Sequence, residues 1–283
     1  MLGTIIGDLV GSKYENLLFR PKKIKIFDKR NRMTDDSLLT LEVIKVLINN
    51  YPILFDQNSL NKIQDDLINA FSICGQNNPD AGFGEMFLKW CYSKNKSPYN
   101  SFGNGSAMRI SPIAYLAKSL DEVKILSRIV SEITHNHPLG IKGAEAISVS
   151  IYLTLNGYKK DYIKNYVVSH YYPNIDTFSY KDLLGTINYS TTCEETVPRA
   201  IYTFLISKNF KDSIIKAVSL SGDTDTIAAM NGGIAEAYYN KDKLTNFEKR
   251  FINNFIPNDV LTLLINFYSL VGSMKFLNQN LFY

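Results

Sequence analysis

Leu2-Gly3-Thr4-Ile5-Ile6-Gly7-Asp8-Leu9-Val10-Gly11 sets a glycine at every fourth position of an otherwise apolar stretch. The apolar residues at 2, 5, 6, 9, 10 and 14 keep a helical period, which predicts a helix over Leu2 to Leu18. Each glycine costs a helix about 1 kcal/mol relative to alanine, so the stripe needs compensation. Close approach of a second helix along that smooth face supplies it. The matching partner is the stretch that opens at Thr224, where Ala228, Ala229, Gly232, Gly233 and Ala235 offer an equally small surface. On the predicted first helix Asp8 and Glu15 stand seven apart, on one side, able to face one cleft.

Working outward, helical spacing recurs after Thr34 and near 59–74, 83–93, 107–119, 121–133, 139–155, 159–168, 194–207, 210–219, 224–240, 244–255 and 257–271. No run of alternating β-branched residues sits between hairpin turns. The expected class is all-α: one compact domain over residues 1–283, with about a dozen helices and no repeat. Residues 169–193, rich in Tyr, Ser and Thr, read as a long surface connection lying over a cleft.

With 45% apolar residues the chain can bury a substantial core. The mild net charge of +4 and the lack of a basic stripe interleaved with aromatics argue against nucleic-acid binding, except as a modified substrate. The run Arg20-Pro21-Lys22-Lys23-Ile24-Lys25 reads as a solvated loop, or as a contact for an anionic partner. Three cysteines, Cys74, Cys91 and Cys193, form no disulfide framework, so a reducing, cytoplasmic setting is expected. The first residues lack a basic n-region and meet Asp8 early, unlike a signal peptide. No apolar run reaches the ~18–20 residues of a membrane span.

Two helix starts carry the chemistry. Thr34-Asp35-Asp36-Ser37 opens one, and Ser221-Gly222-Asp223-Thr224-Asp225-Thr226 opens another. Acidic residues in a first turn oppose the helix dipole and Thr34 can cap its own helix, so either start alone is ordinary punctuation. Together they supply four carboxylates and several hydroxyls with no His or Cys, a donor set suited to Mg²⁺ or Mn²⁺ and not to zinc. If the starts face each other they can hold one or two such ions. A turn-rich stretch, Gly103-Asn104-Gly105-Ser106, runs into Ala107-Met108-Arg109 and presents bare amides at a positive helix end, a seat for phosphate. Thr134-His135-Asn136-His137-Pro138 offers histidines more suited to hydrogen-bonding a sugar or phosphate than to ligating a metal.

Five stretches taken together resemble the ADP-ribosylglycohydrolase family, of the dinitrogenase reductase-activating glycohydrolase and ADP-ribosyl-acceptor hydrolase type. They are Gly7 to Glu15, Thr34 to Ser37, Phe102 to Pro112, Thr134 to Pro138 and Ser221 to Tyr239, in the family's order. The resemblance implies an all-α fold and a centre of two Mg²⁺ or Mn²⁺ ions. It implies hydrolysis of the glycosidic bond between ADP-ribose and a protein side chain or other acceptor. By position it assigns Thr34, Asp35, Asp36, Asp223, Asp225 and Thr226 as metal ligands. Glu15 and Asp36 become the catalytic carboxylates; Gly103, Asn104, Gly105, Ser106 and Met108 hold the diphosphate, with His135 on the same ligand. Ser37 stands where threonine is usual, Ser221 replaces the first of two usual glycines, and Lys13 occupies a position more often apolar. The same parts would also serve a non-catalytic ADP-ribose-binding protein or a metal-dependent phosphohydrolase acting on a nucleotide.

Overall fold

A computed structural model describes residues 1–15, 17 and 19–276. Its helices are α1 (Leu2–Gly11), α2 (Asp35–Asn49), α3 (Gln57–Asn77), α4 (Glu85–Tyr92), α5 (Gly105–Met108), α6 (Ile113–Leu116), α7 (Leu120–Glu132) and α8 (Pro138–Leu155). There follow α9 (Lys160–His170), α10 (Tyr180–Gly185), α11 (Cys193–Leu205), α12 (Phe210–Val218), α13 (Thr224–Tyr239), α14 (Asn246–Phe255) and α15 (Asn258–Leu270). Among the described residues the only strand-like feature is an isolated bridge between Gly103 and Thr192. The fold is all-α, and no described helix is long and apolar enough to cross a membrane.

α1 and α13 run antiparallel at the centre. A Cβ on Gly3 would stand 2.2 Å from Gly232 O, one on Gly7 2.0 Å from Ala228 O, and one on Gly11 2.4 Å from Asp225 Cα. Backbone touches backbone there, as the glycine stripe requires. Every residue of α1 is buried, Asp8 included. Helices α2, α8, α11 and α12 wrap this pair.

The N-terminal ends of α1 and of the chain meet a compensated buried network. Glu236 of α13 takes the Met1 amine at 2.7 Å and Lys275 at 2.7 Å, and Lys275 also reaches Glu248 at 2.6 Å. Gly3 N–H donates to Glu236 at 2.7 Å and Leu2 N–H to the Tyr268 hydroxyl at 3.1 Å, so the opening amides of α1 are satisfied. These opposite charges pull the Glu236 carboxyl well below its usual range against the penalty of burial.

Three expectations need correction. α1 ends at Gly11, not Leu18: Tyr14 N–H turns back to Gly11 O at 2.7 Å, and Lys13 pairs with Asp28 at 3.3 Å. Asp8 and Glu15 therefore do not share a helix. The stretch 107–119 breaks into α5 and α6, with Arg109 buried in the gap and Pro112 capping the second. Residues 169–193 are not one open connection; they hold a 3₁₀ turn at Pro173–Thr177 and α10.

Gly7→Ala forces a methyl group into the Ala228 backbone, which has no side chain to swing aside. The expected loss is about 3 kcal/mol or more, the upper end of overpacking, measured by denaturant unfolding. Gly185→Ala, where an added Cβ meets nothing within 4 Å, serves as the control and stays within about 0.5 kcal/mol.

Candidate active site

The close α1–α13 contact delivers two carboxylates to one point. Asp8 leaves α1 toward the start of α2, and Thr224 Oγ1 donates to Gly11 O at 2.9 Å, which pins the start of α13 to the end of α1. Asp8 then does the capping expected of Thr34. It accepts from Thr34 N–H (2.9 Å) and Ser37 N–H (3.1 Å), with the Ser37 hydroxyl bonded as well. Thr34 makes no side-chain cap of its own helix. Its hydroxyl lies 2.7 Å from Asp8 Oδ1 and 3.2 Å from Asp36 Oδ2. Ser37 keeps the hydroxyl that this arrangement uses.

Oxygens of Asp8, Asp36 and Asp225 lie within 4.8 Å of one another, and so do oxygens of Glu15, Asp223 and Asp225. Asp225 belongs to both groups. Thr226 Oγ1 donates to Asp36 Oδ2 across the helix starts at 3.2 Å. Asp35 falls outside both groups; its carboxylate packs on Gly82, where a Cβ would stand 2.9 Å away, and its face lines the cavity. Asp8 as a member of the cluster was missed from sequence, although a lone charge on a fully apolar glycine-striped face was the available signal.

Among the described residues no basic side chain ion-pairs with Asp8, Asp35, Asp36, Asp223 or Asp225, in contrast to Glu236. Asp36 Oδ1 is buried without a hydrogen-bond partner. Burial, with repulsion between neighbours, pushes the Asp35 carboxyl up to about 8. Burial raises Asp8 to about 6 despite its hydrogen bonds, and carries Asp36 and Asp225 well above the usual range. Hard oxygens in this density, one of them orphaned, fit a divalent cation or a pair of them.

A cavity of about 340 Å³ opens over the cluster. Glu15, Asp35, Asp36, Asp223, Asp225 and Thr226 form its acidic floor, while Gly103, Asn104, Gly105, Met108 and His135 form the opposite wall. Thr34 lies buried behind the floor, outside the lining. Ser106 turns away, donating to Gly140 O at 2.8 Å. Asn104 ties the two walls together: Nδ2 donates to Asp223 Oδ2 at 2.6 Å. Gly105 and Ser106 begin α5, so their amides have no intrahelical acceptor. His137 instead caps α8, accepting from Leu139 N–H at 3.1 Å. Ser221 takes the left-handed conformation (φ 63°), which costs a residue with a side chain some strain.

An all-α protein with an acidic, cation-fitting floor beneath a glycine-loop wall is the class this geometry defines. The ADP-ribosylglycohydrolase family profile matches residues 1–252, and the chain belongs to that family. It is similar to ADP-ribosylhydrolase ARH3 of Mus musculus, 25% identical over 286 residues, covering 81% of this chain and 75% of that one. It is also similar to the Xenopus tropicalis ADP-ribosylhydrolase ARH3, 23% identical over 313 residues, covering 86% and 87%. A solved ADP-ribosylglycohydrolase-related protein complex shares the fold, with TM-score 0.70 and 17% identity across 95% of both chains.

The raised carboxyls set a sign for stability without cations. Carboxyls whose folded pKa exceeds their unfolded value of about 4 stabilise the fold below that pH and stop doing so as pH climbs through 6 and 8. In chelator the melting temperature should therefore fall between pH 5 and pH 8. Mg²⁺ or Mn²⁺ at a hundredfold its Kd should raise it at pH 8 by roughly 5 °C, by differential scanning fluorimetry. An Asp36→Asn, Asp225→Asn double variant should lose the cation response.

Proposed function

We propose that the chain hydrolyses the glycosidic bond joining ADP-ribose to a modified protein side chain or related acceptor, releasing ADP-ribose. The observation that carries this is the meeting of Asp36, Asp223, Asp225 and Glu15 on the floor of the cavity that the Gly103–Gly105 loop also lines, with Asp8 buried against Asp36 and Asp225 beneath it. Two Mg²⁺ or Mn²⁺ ions are proposed, held by Thr34, Asp35, Asp36, Asp223, Asp225 and Thr226 with Asp8 added to the assigned set. When bound, the cations supply charge neutralisation and an electrophilic anchor for ribose hydroxyls.

The chain's own residues divide the rest. The loop amides and His135 hold the diphosphate, remote from the reacting carbon, so their binding energy orients the ribose over the floor. Asn104 transmits that position to the acids through Asp223. Bond breaking spreads positive charge over the ring oxygen and anomeric carbon, and the acidic floor stabilises it. Glu15, on the cavity floor, takes the proton of the attacking water; Asp36, almost fully buried, is the second acid–base group.

The test is a panel of ADP-ribosylated arginine, serine, acetyl, nucleobase and polymer substrates, incubated with Mg²⁺, with Mn²⁺ and with chelator. Free ADP-ribose should appear from at least one acceptor and only with cation. Glu15→Gln should lower kcat by roughly 10²–10⁴-fold with the cation-induced rise in melting temperature retained. Release of AMP or inorganic phosphate would replace this reading with phosphohydrolysis, and tight ADP-ribose binding without turnover would replace it with a binding protein.

A further inference from the structure

In the lining of the same cavity, beside the glycine loop, stands a buried cation without a counter-ion. Arg109, between α5 and α6, is wholly buried, and no carboxylate ion-pairs with it among the described residues. Its guanidinium packs 4.5 Å from the Phe71 ring centroid. Nη2 donates to Val130 O at 3.1 Å and to Thr134 Oγ1 at 2.8 Å, while Nε and Nη1 find no acceptor among the described residues. Thr134 Oγ1 lies 2.7 Å from His135 Nδ1.

Donor chemistry fixes the first bond of this chain. A guanidinium only donates, so the Thr134 oxygen spends one lone pair on Arg109 and keeps a single hydroxyl proton to give; given to Nδ1, 2.7 Å away, that proton makes Nδ1 the acceptor. An accepting Nδ1 puts the ring proton on Nε2. Nε2 faces the glycine loop: it lies 3.1 Å from where a Cβ on Gly105 would stand and 3.6 Å from one on Gly103. The Tyr99 ring lies 6.1 Å from the imidazole, and its hydroxyl interacts with the same Thr134 side chain.

We infer that Arg109 is a positioning residue which, through Thr134, holds His135 as the neutral Nε2–H tautomer and makes it a fixed hydrogen-bond donor to an anionic oxygen on the 103–106 loop. Burial and the Arg109 charge together push the His135 ring well below the usual histidine pKa, so the ring stays a neutral donor at pH 7. The donor role rests on the reading that this loop seats a diphosphate; the tautomer does not.

The chain has three histidines, so His135→Gln assigns the His135 signals in ¹⁵N NMR of the full-length protein. The expected spectrum at pH 7 shows a bare Nδ1 and a protonated Nε2, unchanged in Thr134→Ser and lost to a tautomer mixture in Thr134→Val. In calorimetric titration with ADP-ribose and Mg²⁺, Thr134→Val should weaken binding about tenfold, the size of one hydrogen bond to a charged group, and Thr134→Ser should restore it to within about twofold. A wild-type His135 carrying its proton on Nδ1, or doubly protonated, overturns the inference, and so does unchanged affinity in Thr134→Val. A wild type with the Nε2–H ring that binds no ADP-ribose supports the relay and overturns the functional reading above.

Discussion

A methyl group will not fit between Gly7 and Ala228, and the rest of the molecule depends on that lack of space. Because α1 and α13 touch backbone to backbone, Gly11 sits against Asp225, and the Thr224 hydroxyl bonds the last carbonyl of α1. The acidic start of α13 is thereby fixed at the end of α1. Asp8, one turn back, reaches sideways into the start of α2 and holds its amides. Three helix ends are thus locked together by one glycine-lined contact and one carboxylate, and the cavity opens where they meet.

The protein treats its buried charges in two ways. Around Glu236 it supplies the Met1 amine and Lys275, both fully buried, so the acid is compensated from within. Around Asp36 it supplies hydroxyls and more acids, and one carboxylate oxygen is left without a donor. Burying a charge costs several kcal/mol unless something opposes it. A fold able to compensate one acid, yet leaving the other cluster open, leaves that cluster fit to hold an outside cation. Arg109 shows the same asymmetry with opposite sign, on the far wall.

Much of the helical plan was legible because periodicity and small-residue stripes report packing directly; the pairing of the glycine-striped first helix with the small-residue helix from Thr224 is an example, although its register, with Gly3, Gly7 and Gly11 on Gly232, Ala228 and Asp225, is visible only in the structure. The two acidic helix starts were legible through donor chemistry. What sequence could not show was geometry set by distant partners. The end of α1 depends on Lys13 finding Asp28, and the break after α5 on where the Arg109 side chain is buried. Thr34 looked like the cap of its own helix, but Asp8, 26 residues earlier, supplies the acceptor. The roles of Arg109 and Thr134 carry no local signature at all, since each depends on a hydrogen bond spanning 25 residues.

The central contact also bears on how the chain is made. Gly11 and Thr224 stand 213 residues apart, so at ribosomal speeds of about 5–20 residues per second α1 emerges roughly 10–40 s before its mate. Throughout that interval a ten-residue segment, buried on every side in the finished protein, lacks the helix that covers its glycine face. The nascent polypeptide must shelter this greasy, glycine-notched rod, by transient collapse or by a chaperone, until α13 emerges.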